Sequence, residues 1–170
     1  NEIVQTSNTV SNVIKNFEEV KKVYEQGKEY YDKLQAVNNL VKDARKVQQT
    51  VLLVGEVSEM YVENFGKMLN DPNFSAQELS AISNGYSALL NESTELLKEL
   101  KQIINASSLS LNDKERMDVI DRVYKEVKEY HSLVRYFTGK NISVSVLRAK
   151  KKNNTRRVLE LYGSANQKYW

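Results

Sequence analysis

The stretch from Asn70 to Ile104 reads NDPNFSAQELSAISNGYSALLNESTELLKELKQII, and it settles the fold class. Asn70, Asp71, Pro72 and Asn73 form a stop signal. Proline removes a backbone donor, while Asn and Asp favour turns. Phe74 then precedes Ser75, whose hydroxyl can cap a new helix while Glu78 reaches back to the Ser75 amide. Leu79 sits where a hydrophobic staple with Phe74 would place it. From there Leu79, Ile82, Tyr86, Leu89, Ser93, Leu96, Leu100 and Ile103 recur at steps of three and four, the period of an α-helix. Leu90, Leu97 and Ile104 widen that face, so this helix, expected over about 76–106, needs more than one neighbour.

Upstream of the stop signal, Val10, Val13, Phe17, Val20, Tyr24, Gly27, Tyr31 and Leu34 alternate steps of three and four, the spacing of a coiled-coil seam. The stripe slips by a residue and resumes as Val37, Leu40, Ala44, Val47, Val51, Val54, Val57, Tyr61, Phe65 and Met68. A helix over about 8–69 would be roughly 90 Å long, with its expected kink at Leu53 to Gly55. Downstream, Asn112 and Glu115 repeat the capping-box pattern. A third helix over about 113–138 carries Met117, Ile120, Tyr124, Val127, His131 and Val134 on one stripe, flanked by Val123, Tyr130 and Phe137, with Gly139 as its natural stop. A fourth segment, about 143–162, is read as helical from the spacing of Ile142, Val146, Ala149, Leu159 and Tyr162. Asn153, Asn154 and Thr155 offer a break within it. A strand through Ile142, Val144 and Val146 is the minor alternative. The expectation is an all-α, elongated antiparallel helical bundle or coiled coil with one very long N-terminal helix, a single domain over 1–170.

Composition agrees with that fold. Charged residues make up 28% of the chain and only one proline occurs, which favours long helices with solvated faces. The absence of cysteine excludes disulfides, thiolate metal sites and a cysteine nucleophile. No apolar run approaches the roughly 20 residues that cross a bilayer. The chain opens on Asn1 rather than Met, which fits removal of an upstream segment, either by trimming or by signal-peptide cleavage.

Few residues could carry chemistry. His131 is the only histidine and lies on an apolar stripe, and Lys128 occupies the position that a Glu-x-x-His iron motif would require to be acidic. A structural or rim role is therefore expected for it. Glu18 with Glu19, and Asp113 with Glu115, are read as solvated helix faces and negative first turns. The six glycines are scattered singly, so no phosphate-cradling loop is present. Tyr24, Tyr31, Tyr61, Tyr86 and Tyr124 fall on the seams and are read as core residues with a polar tip. No catalytic residue, metal ligand, cofactor or small-molecule substrate is expected.

Charge is local. From residue 138 onward, eight Lys and Arg residues face the single acid Glu160, a balance of +7 that leaves −4 for the preceding residues of a chain whose net charge is +3. Arg148, Lys150, Lys151, Lys152, Arg156 and Arg157 are the centre of this segment and the candidate partner-binding residues. Arg148, Lys152 and Arg156 are four apart and would line one edge of a continuous helix. Such a segment suits an acidic protein surface, anionic lipid or nucleic acid, or serves as a solubilising face.

The runs YEQGKEYYDKLQAVNNLVKDARKVQ (24–48), VLLVGEVSEMYVENF (51–65), LSLNDKERMDVIDRV (109–123), NISVSVLRAKKKNN (141–154) and LYGSANQKYW (161–170) together resemble a conjugal transfer family of Bacteroidetes conjugative transposons. That family is more distantly similar to the TrbJ-type minor pilus components of type IV secretion systems. The resemblance spans essentially the whole chain and contains no catalytic signature. It implies an elongated helical bundle, a signal peptide lost ahead of Asn1, and export to the periplasm, outer envelope or cell surface. It further implies a non-enzymatic structural or adhesive role in a conjugative secretion apparatus through contacts with other secretion or pilus proteins, with oligomerisation open. The alternative is a DNA-binding accessory protein of conjugation that uses the basic C-terminal segment.

Overall fold

In a computed structural model, residues 41–105 and 113–163 are described. They form an all-α bundle of four helices: α1 Val41–Met68, α2 Ala76–Asn105, α3 Asp113–Lys151 and α4 Thr155–Tyr162. The expected seam from Val10 to Leu34, and the N-terminal part of the helix expected from residue 8, lie outside the described residues. Helix α1 continues through Leu53 to Gly55 without interruption.

Contacts between the helices fix their directions. Lys46 pairs with Asp121, Glu56 meets His131, and Asp71 accepts from Ser145. Partners on α1, or the turn that follows it, and on α3 are thus 74 or 75 positions apart, as in two parallel helices held without slip. Helix α2 runs antiparallel to both: Tyr61 meets Ser83, Arg122 pairs with Glu99, and Tyr86 bonds Thr138. The α1–α2 reversal is built as the sequence indicates. The Glu78 amide donates to Ser75 Oγ and the Ser75 amide to Glu78 Oε1, each at 3.2 Å, and Phe74 and Leu79 are both buried.

Among the described residues, two apolar clusters make up the core. Toward the open end of α1, Val47, Val51 and Val54 pack with Leu96, Leu97, Leu100, Ile120, Val123 and Val127. Toward the reversal, Tyr61, Phe65, Tyr86 and Phe137 form an aromatic group. Tyr61 and Tyr86 have ring centroids 4.9 Å apart, and Phe137 meets Tyr86 edge-on at the same distance. Phe137 reaches that position because Gly85 lies beneath it. A Cβ there would stand 2.6 Å from Phe137 Cζ. On α2 the buried line uses Ser83, Leu90 and Leu97, while Leu89 is half-buried.

Three expectations for the C-terminal part are corrected. Gly139 does not end the third helix, which continues to Lys151. The core line Val134, Thr138, Ile142, Ser145 and Ala149 is wholly buried across that point. Burial of this line offsets the roughly 1 kcal/mol that a helical glycine costs. Asn141 and Ser143 satisfy their side chains on the Phe137 and Gly139 carbonyls of the same helix. Ile142, Val144 and Val146 are helical, and the strand alternative fails with them. Lastly, the helix expected over about 143–162 is divided, and the division falls at the break that Asn153, Asn154 and Thr155 offered. Asn153 takes the left-handed conformation at φ 53°, which Asn tolerates better than most residues. The Asn153 and Asn154 amides donate to Lys150 O and Ala149 O, and α4 then begins at Thr155, returning Val158 and Tyr162 to the core.

Candidate functional site

The basic segment occupies one end of the bundle, where the α1–α2 turn, the end of α3 and α4 meet. That junction is organised by Asp71, only 3% exposed. Its Oδ1 accepts the Asn73 amide at 2.9 Å, and its Oδ2 accepts the Ser145 hydroxyl at 2.5 Å and the Tyr162 phenol at 2.7 Å. A buried carboxylate is costly unless its lone pairs are filled by donors. Here three donors come from the turn, α3 and α4. Burial raises the Tyr162 phenol, and its hydrogen bond to Asp71 and that carboxylate's charge raise it further, so the proton stays on the phenol. Burial likewise raises the phenols of Tyr86 and Tyr61.

Arg148 belongs to this junction. Its Nη1 donates to the Asn73 carbonyl and to Glu78 Oε2, both at 2.7 Å. The Arg148 hydrogen bond, followed by that from the Ser75 amide, holds the Glu78 carboxyl below the usual carboxylate range. Arg148 therefore clips α3 to the start of α2 and is already engaged within the chain.

The other candidates separate from it. Lys150, Lys151, Lys152 and Arg157 are exposed and have no ion-pair partner among the described residues. Arg156 is exposed and pairs with Glu160 one turn along α4 at 3.1 Å. The edge expected from Arg148, Lys152 and Arg156 does not form, because the chain turns at Asn153 and Arg156 stands on a different helix. What the fold creates instead is a cationic tip, with Lys150 to Lys152 on one side of the turn and Arg156 and Arg157 on the other. The latch beneath holds both sides in place.

His131 lies on the rim between α3 and α1, with Nε2 2.7 Å from Glu56 Oε2. Among the described residues no group of three His, Cys, Asp or Glu side chains is placed to hold a metal ion, and no helix is long and apolar enough to cross a membrane. Sequence reading missed Asp71, Ser145 and Tyr162 as a unit. The available signal was Ser145, which lies at the core angle only once α3 is continued past Gly139. No family model matches the chain, and no curated protein and no solved structure matches it either.

Proposed function

We propose that this protein is a non-enzymatic structural or adhesive component of a conjugative type IV secretion apparatus, exported to the envelope and acting through contacts with other subunits. The observation that carries this reading is the ordered set of sequence runs, from residue 24 to residue 170, that resemble the conjugal transfer family. The geometry of the tip supports it. A group of unpaired cations held at one end of a bundle repels itself, and an opposing acidic surface lowers that cost. Lys150, Lys151, Lys152 and Arg157, without an ion-pair partner among the described residues, have most to gain from such a surface, with Arg156 beside them. Arg148 contributes by holding the tip.

The experiment is deletion of the gene from its element, followed by complementation. Wild-type chain restores transfer between cells, and a chain carrying Lys150→Glu, Lys152→Glu and Arg157→Glu together folds normally but restores it poorly. Normal transfer in the clean deletion rejects the assignment. Cell fractionation checks export in the same strains. The DNA-binding alternative is favoured by the same tip. It is upheld if the purified chain binds duplex DNA with a steep salt dependence that the triple change abolishes.

A further inference from the structure

Among the described residues, one surface of α3 lies outside the bundle core. Leu133, Tyr136, Lys140, Ser143 and Leu147 recur at steps of three, four, three and four along α3, so they form one line down the helix. This line faces away from the core line Val134, Thr138, Ile142, Ser145 and Ala149. Leu133 is 49% exposed, Tyr136 66% and Leu147 60%. Single exposed apolar residues are ordinary on protein surfaces, but three large ones aligned on one face form a pattern that points to an occupant.

The polar groups of that face identify its chemistry. Between Glu129 and Glu160 the sequence contains no carboxylate, while Lys140 and Lys151 lie on or beside the line. Lys140 Nζ sits 5.8 Å from the centre of the Tyr136 ring, so the line carries a positive charge beside its aromatic residue. Ser143 has its hydroxyl turned back to the Gly139 carbonyl at 2.8 Å, which reduces its demand for water. The face is therefore apolar at Leu133, Tyr136 and Leu147 and positive at Lys140 within the line and Lys151 at its end. Helices that lie in the headgroup region of a bilayer combine these features: leucine and aromatic side chains enter the acyl boundary while lysines reach back to anionic groups. The ridge is also convex, being the back of a helix whose other side is packed, and a deformable surface can fit it.

We propose that the outer face of α3, with Leu133, Tyr136 and Leu147 inserted and Lys140 and Lys151 reaching anionic headgroups, lies on an anionic lipid surface. The bundle would then be a peripheral membrane protein, resting on the bilayer rather than crossing it. This goes beyond the conjugation reading and does not depend on it. A negative lipid result leaves the transfer experiment unaffected, and a negative transfer result leaves lipid binding standing.

The test uses the full chain and sedimentation with vesicles of phosphatidylglycerol, against vesicles of phosphatidylcholine. The wild-type chain sediments with the first and weakly or not at all with the second. Leu133→Ser with Leu147→Ser lowers partitioning by about tenfold, in line with the apolar area withdrawn, while circular dichroism and thermal unfolding stay unchanged. Lys140→Gln with Lys151→Gln also weakens binding and reduces its salt dependence. A Tyr136→Trp reporter, with Trp170→Phe to remove the native indole, shifts its emission to the blue on addition of phosphatidylglycerol vesicles; it reads the same face even if the double leucine variant misfolds. Three results overturn the proposal: no sedimentation of the folded wild-type chain with phosphatidylglycerol, binding that the leucine changes leave intact with no shift of the reporter, or a soluble protein complex through this face that the leucine changes dissolve in the absence of vesicle binding.

Discussion

Replacing Tyr162 by Phe removes one oxygen atom and leaves the ring that fills the end of the core. The hydroxyl donates to Asp71 Oδ2 at 2.7 Å in a site where the carboxylate is 3% exposed. Hydrogen bonds to charged groups contribute roughly 1.5–3 kcal/mol. Asp71 keeps its donors from Asn73 and Ser145, so the loss should fall within that range, about 2 kcal/mol, without leaving the carboxylate bare. Because α4 is only eight residues long and its buried residues are Val158 and Tyr162, the effect should concentrate there. Urea unfolding would report the lower stability. Limited trypsin digestion would report the local consequence, with faster cleavage at Lys150 to Lys152 and at Arg156 and Arg157 as α4 leaves the bundle more often. Tyr136→Phe, at an exposed ring, is the control and should change neither measurement. If Tyr162→Phe unfolds within about 0.5 kcal/mol of the wild type and is cut no faster, the argument that Asp71 secures α4 is wrong.

Gly85→Ala tests the Phe137 contact, because helix propensity alone would favour alanine by about 1 kcal/mol. The 2.6 Å approach should reverse that sign and destabilise by roughly 1–2 kcal/mol, and the penalty should disappear in a Phe137→Leu background when both are measured by denaturant unfolding. Leu97→Ala, at a buried position, should lose about 2–5 kcal/mol, and Leu89→Ala, at a half-buried one, clearly less; equal losses in calorimetry would contradict the observed face of α2. The raised phenols of Tyr61, Tyr86 and Tyr162 favour the protonated form in the folded state. Their contribution is intact below the ordinary tyrosine value of 10.0 and is lost as pH rises above it, so a part of the tyrosinate absorbance should appear only together with loss of helix in an alkaline titration.

Local signals in the sequence were enough for helices whose buried residues are apolar. Val47 through Met68 can be followed as a single stripe, and Ser75 with Glu78 marks the start of α2 without reference to the rest of the chain. The errors come where polar residues occupy core positions. Thr138 and Ser145 bridge the apolar runs on either side of Gly139, and both are buried; counting only apolar residues leaves a gap at which the helix seems to stop. The basic segment was legible as a concentration of charge, but the role of Arg148 was not, because its partners Glu78 and Asn73 lie 70 and 75 positions away. The same holds for Asp71, whose turn-forming character was evident while its bonds to Ser145 and Tyr162, 74 and 91 positions distant, depend on the tertiary fold.

The near-constant spacing between partners on α1 and α3 has a mechanical consequence. Chain enters α1 at one end of the bundle and leaves α3 at the other, so a pull applied between Val41 and Lys151 slides two parallel helices past each other instead of peeling them apart. Under that load Lys46 with Asp121, Glu56 with His131, and Asp71 with Ser145 are strained together, along with the apolar layers between them, and none can fail first as the leading tooth of a zipper. The 28 residues of α1 span about 42 Å, and over that span the bundle resists tension in shear, its stiffest mode, along its own long axis.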